Sequence, residues 1–422
     1  MRYAILAWYT RKIMAEQDSN QPDHRRLGQE LDLFAFSEHV GSGLPLFTPK
    51  GTVIRKQLEK FLWSILEPLG YEQVWIPHIT KPELYHTSGH WDKFKDDLFH
   101  VTGHADTSFV MKPMNCPHHT QIYASRLRSY RDLPLRFAEM TTVYRDEQAG
   151  ELLGLNRVRS ITQDDAHIFC RPDQIQEEIS RVLTSIAQFY AGFDFELQAR
   201  LSLRDPKTPE KYLGSEEIWN DAERILEEAL AANNFPTPER AEGEAAFYGP
   251  KIDFTAKDSL GRTWQLATAQ LDFNMPERFE LEYTAEDGSK QRPVMIHRAI
   301  LGSFERFIAV LLEHYNGNLP LWLSPVQVAI LPISDEIIPY ANEVADALRA
   351  QGIRITIDSR SESIGKKIRE ASSQKVPVLA ILGKQEAAAH TVSIRSKLFP
   401  EEPMLLDEAV EAIRFKSIPG EA

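Results

Sequence analysis

The chain has 422 residues, more than are usually organised around a single hydrophobic core, so we expect two domains or three. Its composition, 42% hydrophobic and 26% charged, is that of an ordinary globular protein. The 61 acidic residues outnumber the 48 basic ones and give a formal charge of −13, which argues against a general nucleic-acid coat or a membrane-surface protein. Two cysteines, Cys116 and Cys170, cannot build a disulfide framework, and no apolar run reaches the length of a bilayer span.

The first 22 residues differ in composition from the rest of the chain. Residues 1–13 are basic and aromatic, and the composition turns polar at Met14. A signal peptide would need a longer apolar run and a small-residue cleavage site. A mitochondrial presequence stays open, because the stretch lacks acids, although it also lacks serines. We expect an unstructured tail over 1–22, or a true start at Met14, and a cytoplasmic protein.

In chain order, the first strong pattern is a helix over 48–69, with apolar residues at helical spacing and Thr48–Pro49 as its start. The alternating stretch 71–79 predicts a strand, which Pro77 places at an edge or interface. Further strands are predicted at 108–112, 135–145, 157–169, 193–203, 251–257 and 262–272. Helices are predicted at 116–130, 173–191, 215–232 and 298–314. Several strands follow one another without helices between them, which predicts an antiparallel sheet in an α+β domain.

The last hundred residues have a different pattern. After Pro320 the chain alternates between apolar strands and amphipathic helices in the order β-α-β-α-β. Such alternation predicts a parallel-rich sheet with helices on its faces. We therefore place a domain boundary near residue 320.

Arginines are concentrated between residues 126 and 159. Arg145 ends one predicted strand and Arg157 begins the next, on either side of a long polar loop over 146–156. Their guanidinium groups would then point into one cleft, where planar bidentate donors suit phosphate oxygens. The alternative is that these arginines pair with nearby carboxylates on a solvated face.

A second group of candidates is Cys116, His167 and His297. A thiolate and two imidazoles make a plausible zinc set with a fourth position open for a substrate. No spacing rule links residues so far apart, and three other histidines compete. The alternative is therefore a buried free cysteine with hydrogen-bonded core histidines. The competing histidines are His118, His119 and His314.

A third element is the segment HRAILGSFERF before a helix. Gly302 would allow a bulky group to approach closely, and Arg306 would project beside it. No P-loop and no G-x-G-x-x-G sequence comes after a predicted strand, so nucleotide binding must use another architecture. The arginine-lined antiparallel sheet is the candidate.

These segments together resemble a known family. TPKG with the strand ending at Pro77, Arg145 and Glu147 before RVRSITQDDAH, and HRAILGSFERF resemble motifs 1, 2 and 3 of class II aminoacyl-tRNA synthetases. KPMNCP, SYRDLPLRFAE, TQDDAHIF, FYGPKIDF and PVMIHRAILGSFERF look like threonyl-tRNA synthetases. The resemblance is collinear from about Asp23 to Arg395. It implies an antiparallel six- to seven-stranded catalytic domain over 23–320 and a smaller α/β anticodon-binding domain over 321–422.

The resemblance also implies what the site residues do. Cys116, His167 and His297 would hold one zinc ion per subunit, which takes the amino and hydroxyl groups of threonine as ligands. Asp165 would receive the substrate ammonium group. The other residues implied to line the amino-acid and adenylate pocket are Met114, Gln163, Tyr248, Thr268 and Gln270.

The remaining implied residues bind ATP and tRNA. Arg145 would bridge the α-phosphate and the carboxylate, and Arg306 would bind the γ-phosphate. Glu147 and Gln265 would hold ATP and Mg²⁺, and Arg157 and Ile161 would contact ATP. In the second domain a basic strip would meet the anticodon stem-loop. That strip comprises Arg360, Lys366, Lys367, Arg369 and Arg395, with Ser361 at a further anticodon position.

The implied activity is attachment of threonine to tRNA(Thr) through a threonyl-adenylate, in a homodimer formed by the motif 1 helix and the Pro77 strand. An alternative is a paralogue that activates threonine or another β-hydroxy amino acid without charging tRNA. Another is a non-catalytic tRNA-binding regulator. Since no editing region is recognised, we expect measurable seryl-tRNA formation unless a separate protein edits in trans.

Several positions depart from the family pattern. His118 stands in place of a glycine, and Ile161 in place of an aromatic residue that stacks on adenine. Leu266 and Ala267 replace cysteine and glycine, and we expect them to narrow the pocket wall beside Thr268. Ser361 replaces a common asparagine in the anticodon region. Because every ionic role is kept, we expect an active enzyme with altered pocket packing.

Overall fold

The computed structural model describes residues 21–193, 195–233, 235 and 238–420. All but the last two residues of the predicted tail over 1–22 lie outside that range. The helices are α1 (His24–Glu30), α2 (Pro49–Leu66), α3 (Glu83–Ser88), α4 (His90–Phe94), α5 (Cys116–Ala124), α6 (Ile175–Tyr190), α7 (Glu216–Ala232), α8 (Asn274–Arg278), α9 (Phe304–His314), α10 (Ile338–Ala350), α11 (Ile364–Ser373), α12 (Lys384–Ala389) and α13 (Leu406–Lys416).

The strands are short at the ends of the chain and long in the middle. They are β1 (Phe34–Ala35), β2 (Leu46–Phe47), β3 (Glu72–Gln73), β4 (Ile79–Thr80), β5 (His100–Thr102), β6 (Ser108–Met111), β7 (Leu135–Tyr144), β8 (Ser160–Cys170), β9 (Leu197–Leu203), β10 (Glu239–Glu242), β11 (Lys251–Lys257), β12 (Thr263–Asp272), β13 (Tyr283–Thr284), β14 (Lys290–Gln291), β15 (Val294–Ala299), β16 (Val328–Pro332), β17 (Ile355–Ile357), β18 (Val378–Leu382), β19 (Thr391–Arg395) and β20 (Met404–Leu405).

The main sheet confirms the class II architecture but corrects its predicted topology. In the described part of the chain it has eight strands in the order β10-β9-β11-β12-β15-β8-β7-β3. The inner six strands are antiparallel, whereas both edge strands are parallel to their neighbours. The predicted antiparallel sheet of six to seven strands is confirmed in its six inner strands, and the two parallel edge strands make the whole sheet mixed. Each edge strand is joined to its neighbour through helices, and such crossover connections produce parallel pairs.

The helix predicted over 48–69 is α2, and local chemistry fixes its start. Thr48 Oγ1 accepts from the Gly51 amide at 3.3 Å, and Pro49 occupies the first turn. A Cβ at Gly51 would lie 1.9 Å from the Leu33 carbonyl oxygen, so only glycine fits there. One face of α2 is buried in the core. The predicted strand over 71–79 is wrong in extent, because only β3 joins the main sheet and β4 belongs to a separate one.

The helix predicted over 298–314 begins later than expected. The segment VMIHRA forms β15 in the middle of the main sheet, since a short apolar run fits a buried strand as well as a helix. Gly302 then turns the chain at a φ of +73°, and a Cβ there would lie 2.8 Å from the Leu266 carbonyl oxygen. Ser303 caps α9 by accepting from the Arg306 amide. Motif 3 is thus a strand, a glycine turn and a helix.

The C-terminal residues form a second sheet with its own core. Its order is β17-β16-β18-β19-β20, and β16 is parallel to both of its neighbours. The predicted β-α-β-α-β pattern is thereby confirmed, and two antiparallel strands come after it. Among residues 21–420 as far as the structure describes them, no helix is long and apolar enough to cross a membrane.

Candidate active site

The structure brings Cys116, His167 and His297 together in the middle of the main sheet. Cys116 begins α5, and His167 and His297 are direct cross-strand partners on β8 and β15. One ligand atom from each residue lies within 4.8 Å of the others, and all three side chains are buried. Residues far apart in the sequence therefore form one compact donor set.

Neighbouring groups orient this donor set. His297 Nε2 donates to Asp272 Oδ2 at 2.8 Å, and His167 Nδ1 shares a hydrogen bond with His119 Nδ1 at 2.8 Å. Each imidazole therefore has one ring nitrogen in a hydrogen bond and the other available to a metal, which is the arrangement that metal-binding histidines adopt. Burial raises the pKa of the Cys116 thiol and lowers the pKa of His167. One cysteine sulfur and two imidazole nitrogens are the donor types that zinc binds, with the cysteine as its thiolate.

The proposed ammonium site lies beside the donor set. Asp165 Oδ1 is 3.7 Å from His167 Nε2, and Asp165 Oδ2 accepts from Asn115 at 2.9 Å. Burial raises the pKa of this carboxyl, so a bound cation would be a strong partner for it. Tyr248 is buried with its ring 5.2 Å from that of His297.

Alternate residues of β8 connect this site to the arginines. Ile161, Gln163, Asp165 and His167 lie on one face of the strand, because side chains alternate along a strand. The Gln163 Oε1 atom is buried and has no hydrogen-bond partner among the residues the structure describes. It is therefore available to a ligand on this face.

An arginine-lined cavity of about 270 Å³ opens at the Ile161 end of the strand. Burial lowers the pKa of both Arg145 and Arg306, and the Arg145 guanidinium carbon lies 4.8 Å above the Phe94 ring. Arg145 also donates to Met114 Sδ at 3.2 Å. The lining residues are Arg145, Glu147, Asn156, Arg157, Val158, Ile161, Ser303 and Arg306. The predicted cleft with convergent arginines is present.

Arg157 in this cavity is already paired. Its guanidinium lies 2.6 Å from Glu147 and 3.0 Å from Glu151, so both alternatives for the arginines hold in part. Arg157 lines the cavity and also pairs with carboxylates at the surface. A triphosphate entering the cavity would compete with Glu147 for this arginine.

A bulge in β12 places Gln265 and Thr268 on one face. Leu266 has no cross-strand partner on β11, so residues three apart point the same way. Gln265 Nε2 and Thr268 Oγ1 both donate to Asp253 Oδ1, at 2.7 and 2.9 Å. Gln270 Nε2 donates to the Gly249 carbonyl at 3.1 Å. Gln265 is not among the residues that line the arginine cavity.

Leu266 and Ala267 do not narrow the pocket wall. Both side chains are buried in the main hydrophobic core, so that expectation was wrong. The bulge turns the Leu266 side chain into the core beside that of Ala267, so the polar side chains of Gln265 and Thr268 remain on the other face of the strand.

His118 is also buried, and neither of its ring nitrogens has a hydrogen-bond partner within the described part of the chain. Burial lowers the pKa of His118 to about 4.

Two residues near the site were not singled out from the sequence. His90 is buried with its Nε2 3.7 Å from Cys116 Sγ, and burial lowers its pKa to about 3, so this imidazole is neutral at pH 7. Asp253 accepts hydrogen bonds from the side chains of Ser202, Lys251 and Gln265. Neither residue obeys a spacing rule, and only the fold shows where they lie.

The basic strip of the second domain is partly corrected. Lys367 is buried and donates to the Pro332 carbonyl at 2.9 Å, so it supports the sheet and does not face a ligand. Arg360 pairs with Asp358 and Glu370, and Lys366 pairs with Glu362. The other three predicted contacts, Ser361, Arg369 and Arg395, lie at least partly at the surface.

Comparison with known proteins agrees with this geometry. Residues 99–315 match the tRNA synthetase class II core domain (G, H, P, S and T), and residues 327–416 match an anticodon binding domain. A threonine–tRNA ligase of Cytophaga hutchinsonii is 54% identical over 90% of this chain and 59% of its own length. One from Gloeobacter violaceus is 50% identical over 96% and 65%.

A solved structure extends the comparison to the whole fold. The RNA binding domain of threonyl-tRNA synthetase from Cryptosporidium parvum Iowa II superposes with a TM-score of 0.88 at 38% identity. The superposition covers 93% of this chain and 97% of that one. The chain spans about three fifths of the length of the first curated relative. On this sequence and structural evidence, the chain belongs to the threonyl-tRNA synthetase family of class II tRNA synthetases.

Proposed function

We propose that the chain activates threonine with ATP and transfers it to tRNA(Thr). The observation that carries the proposal is the single face of β8, which runs from the arginine cavity at Ile161 to the donor set at His167. The six steps from Ile161 to His167 span about 20 Å, enough for an amino acid joined to a nucleotide. One strand thus places groups that bind phosphate, amino and hydroxyl groups one after another along its length.

We propose that Cys116, His167 and His297 hold a zinc ion. A zinc ion held there would supply Lewis acidity toward the amino and hydroxyl groups of threonine. Asp165 accepts a hydrogen bond from the substrate amino group, and the unpartnered Gln163 Oε1 faces the same ligand. A site that demands a hydroxyl rejects valine far better than an apolar pocket does.

The arginine cavity then positions ATP and Mg²⁺ for an in-line attack. A carboxylate oxygen of threonine bonds to the α-phosphorus while the bond to pyrophosphate breaks. Arg145 neutralises charge on the α-phosphate and Arg306 on the γ-phosphate, while Glu147 holds Mg²⁺. In the second step a ribose hydroxyl of the tRNA attacks the adenylate carbonyl, the new ester bond forms as the bond to AMP breaks, and the hydroxyl proton passes to the departing phosphate.

We propose further that residues 23–320 act as the catalytic domain and residues 321–422 as the anticodon-binding domain, in a cytoplasmic homodimer. Exposed apolar side chains in the segments before α2 and after β3 support the dimer, and Trp75 is 81% exposed. The other large apolar side chains exposed in this part of the chain are Phe36, Val40, Leu46 and Ile79.

Two assays separate this proposal from its alternatives. Threonine-dependent ATP–pyrophosphate exchange should be present, and its absence would favour a non-catalytic tRNA-binding regulator. Charging of threonine tRNA transcripts should accompany it. Exchange without charging would favour an amino-acid-activating paralogue.

A further inference from the structure

The loop over 146–156 ends in a tight turn next to the arginine cavity. The Leu153 amide donates to the Arg157 carbonyl at 3.1 Å, and the Asn156 amide donates to the Leu153 carbonyl at 2.9 Å. The Arg306 Nε donates to the Asn156 carbonyl at 3.2 Å. The turn therefore leads directly into Arg157 and holds Arg306, so its position determines where both guanidinium groups point.

A histidine far away in the sequence holds this turn from the other side. His24 begins α1, is buried, and its Nε2 accepts from the Leu155 amide at 3.0 Å. His24 Nδ1 lies 2.6 Å from Glu313 Oε1. A backbone amide can only donate, so Nε2 is the unprotonated nitrogen and Nδ1 carries the proton that it donates to Glu313.

The surroundings leave His24 one orientation. Gly154 has a φ of +52°, and a Cβ there would lie 2.2 Å from His24 Nε2, so the glycine makes room for the imidazole. Glu313 at the end of α9 is also fixed by an ion pair with Arg262. Asp23, His24 and Glu313 also approach one another closely enough for a metal, but their donor atoms are engaged in these hydrogen bonds and in the Asp23–Arg25 pair.

We propose that His24 is a positioning residue for the nucleotide cavity. By accepting from Leu155 it fixes the turn that carries Arg157 and holds Arg306, and by donating to Glu313 it ties that turn to the helix on which Arg306 lies. This inference rests on the proposed function only in naming ATP as the occupant of the cavity. The mechanical part, that His24 fixes the turn, stands on the contacts alone.

A matched pair of variants separates the two hydrogen bonds. His24→Asn keeps a donor near the Nδ1 position and loses the acceptor at Nε2, whereas His24→Gln keeps an acceptor near the Nε2 position. We expect His24→Asn to raise the KM for ATP in threonine-dependent exchange by roughly 5–30-fold, with little change in the KM for threonine. His24→Gln should stay within about threefold of the unmodified chain. A KM for ATP that matches the unmodified chain in both variants would overturn the proposal.

Hydrogen exchange of the Leu155 amide gives a readout that does not depend on activity. The amide should be protected in the unmodified chain and in His24→Gln, and should exchange rapidly in His24→Asn. Equal protection in both variants also overturns the proposal. If the unmodified chain shows no exchange activity, the proposed function fails, while the protection difference still decides whether His24 holds the turn.

A second route tests the same contact from the loop. Gly154→Ala places a methyl group where the His24 ring lies, and it leaves the His24 side chain itself unchanged. If His24→Asn does not fold, Gly154→Ala should show the same rise in KM for ATP and the same loss of Leu155 protection. An unchanged KM and an unchanged Leu155 exchange rate in that variant would contradict the proposal.

Discussion

The donor set around Cys116 and the arginine cavity lie at opposite ends of one strand, and they are built differently. At the donor end every side chain is buried and each histidine already has an orienting partner. At the arginine end the cavity is open, the Arg157 side chain is 45% exposed, and it is paired with Glu147. The donor end is thus preorganised, whereas the arginine end must exchange partners when a triphosphate enters.

The largest expected effect is at the donor end. His297→Ala removes one of the three proposed zinc ligands, so bound zinc and threonine-dependent exchange should be lost together. We expect a fall of more than about 10³-fold, since loss of one electrostatic donor alone costs about 10²–10³. Metal content and exchange rate should be measured on the same preparation. Full exchange in a metal-free variant would contradict the zinc assignment.

At the arginine end we expect a smaller loss. Arg306→Ala should lower kcat/KM for ATP by about 10²–10³-fold, because one charge-neutralising donor is lost while the others remain. Zinc content and the affinity for threonine should not change, because Arg306 lies in the cavity and does not touch the donor set. A variant that loses zinc as well would show that the two ends are not separable.

Serine and valine test how the donor set selects its amino acid. Serine also carries a hydroxyl, so the donor end should accept it, and only the missing methyl contact discriminates against it. We expect kcat/KM for serine in exchange to be roughly 10–200-fold below that for threonine, and valine to be rejected about 10⁴-fold or more. Comparable rates for valine and serine would mean that the hydroxyl is not being recognised.

The smallest effect should come from Ile161, which lines the cavity where the family pattern has an aromatic residue. Ile161→Phe would offer adenine a stacking surface worth about 1 kcal/mol, so the KM for ATP should fall by about fivefold. The KM for threonine should be unaffected. A rise in the KM for ATP would indicate that the cavity is too narrow for the larger ring.

The candidate site could be predicted from the sequence only through the resemblance to a known family, because the spacing of its residues does not identify it. Cys116, His167 and His297 obey no metal-binding spacing, and only the pairing of β8 with β15 makes two of them neighbours. The bulge at Leu266 was not predictable, because it depends on a shift in register between two strands. The parallel edge strands were missed because a pattern of consecutive strands shows hairpins more readily than crossovers. His24 contacts Leu155 across the fold, and no local pattern reports such a contact.

We propose that one strand joins a zinc-dependent amino-acid site to an ATP site, and removal of the metal probes both ends of that strand at once. Threonine-dependent ATP–pyrophosphate exchange should be measured on one preparation before chelation, after chelation and after zinc is returned. We expect exchange to disappear with the metal and to recover with zinc. Exchange that persists unchanged in the metal-free chain would contradict the account.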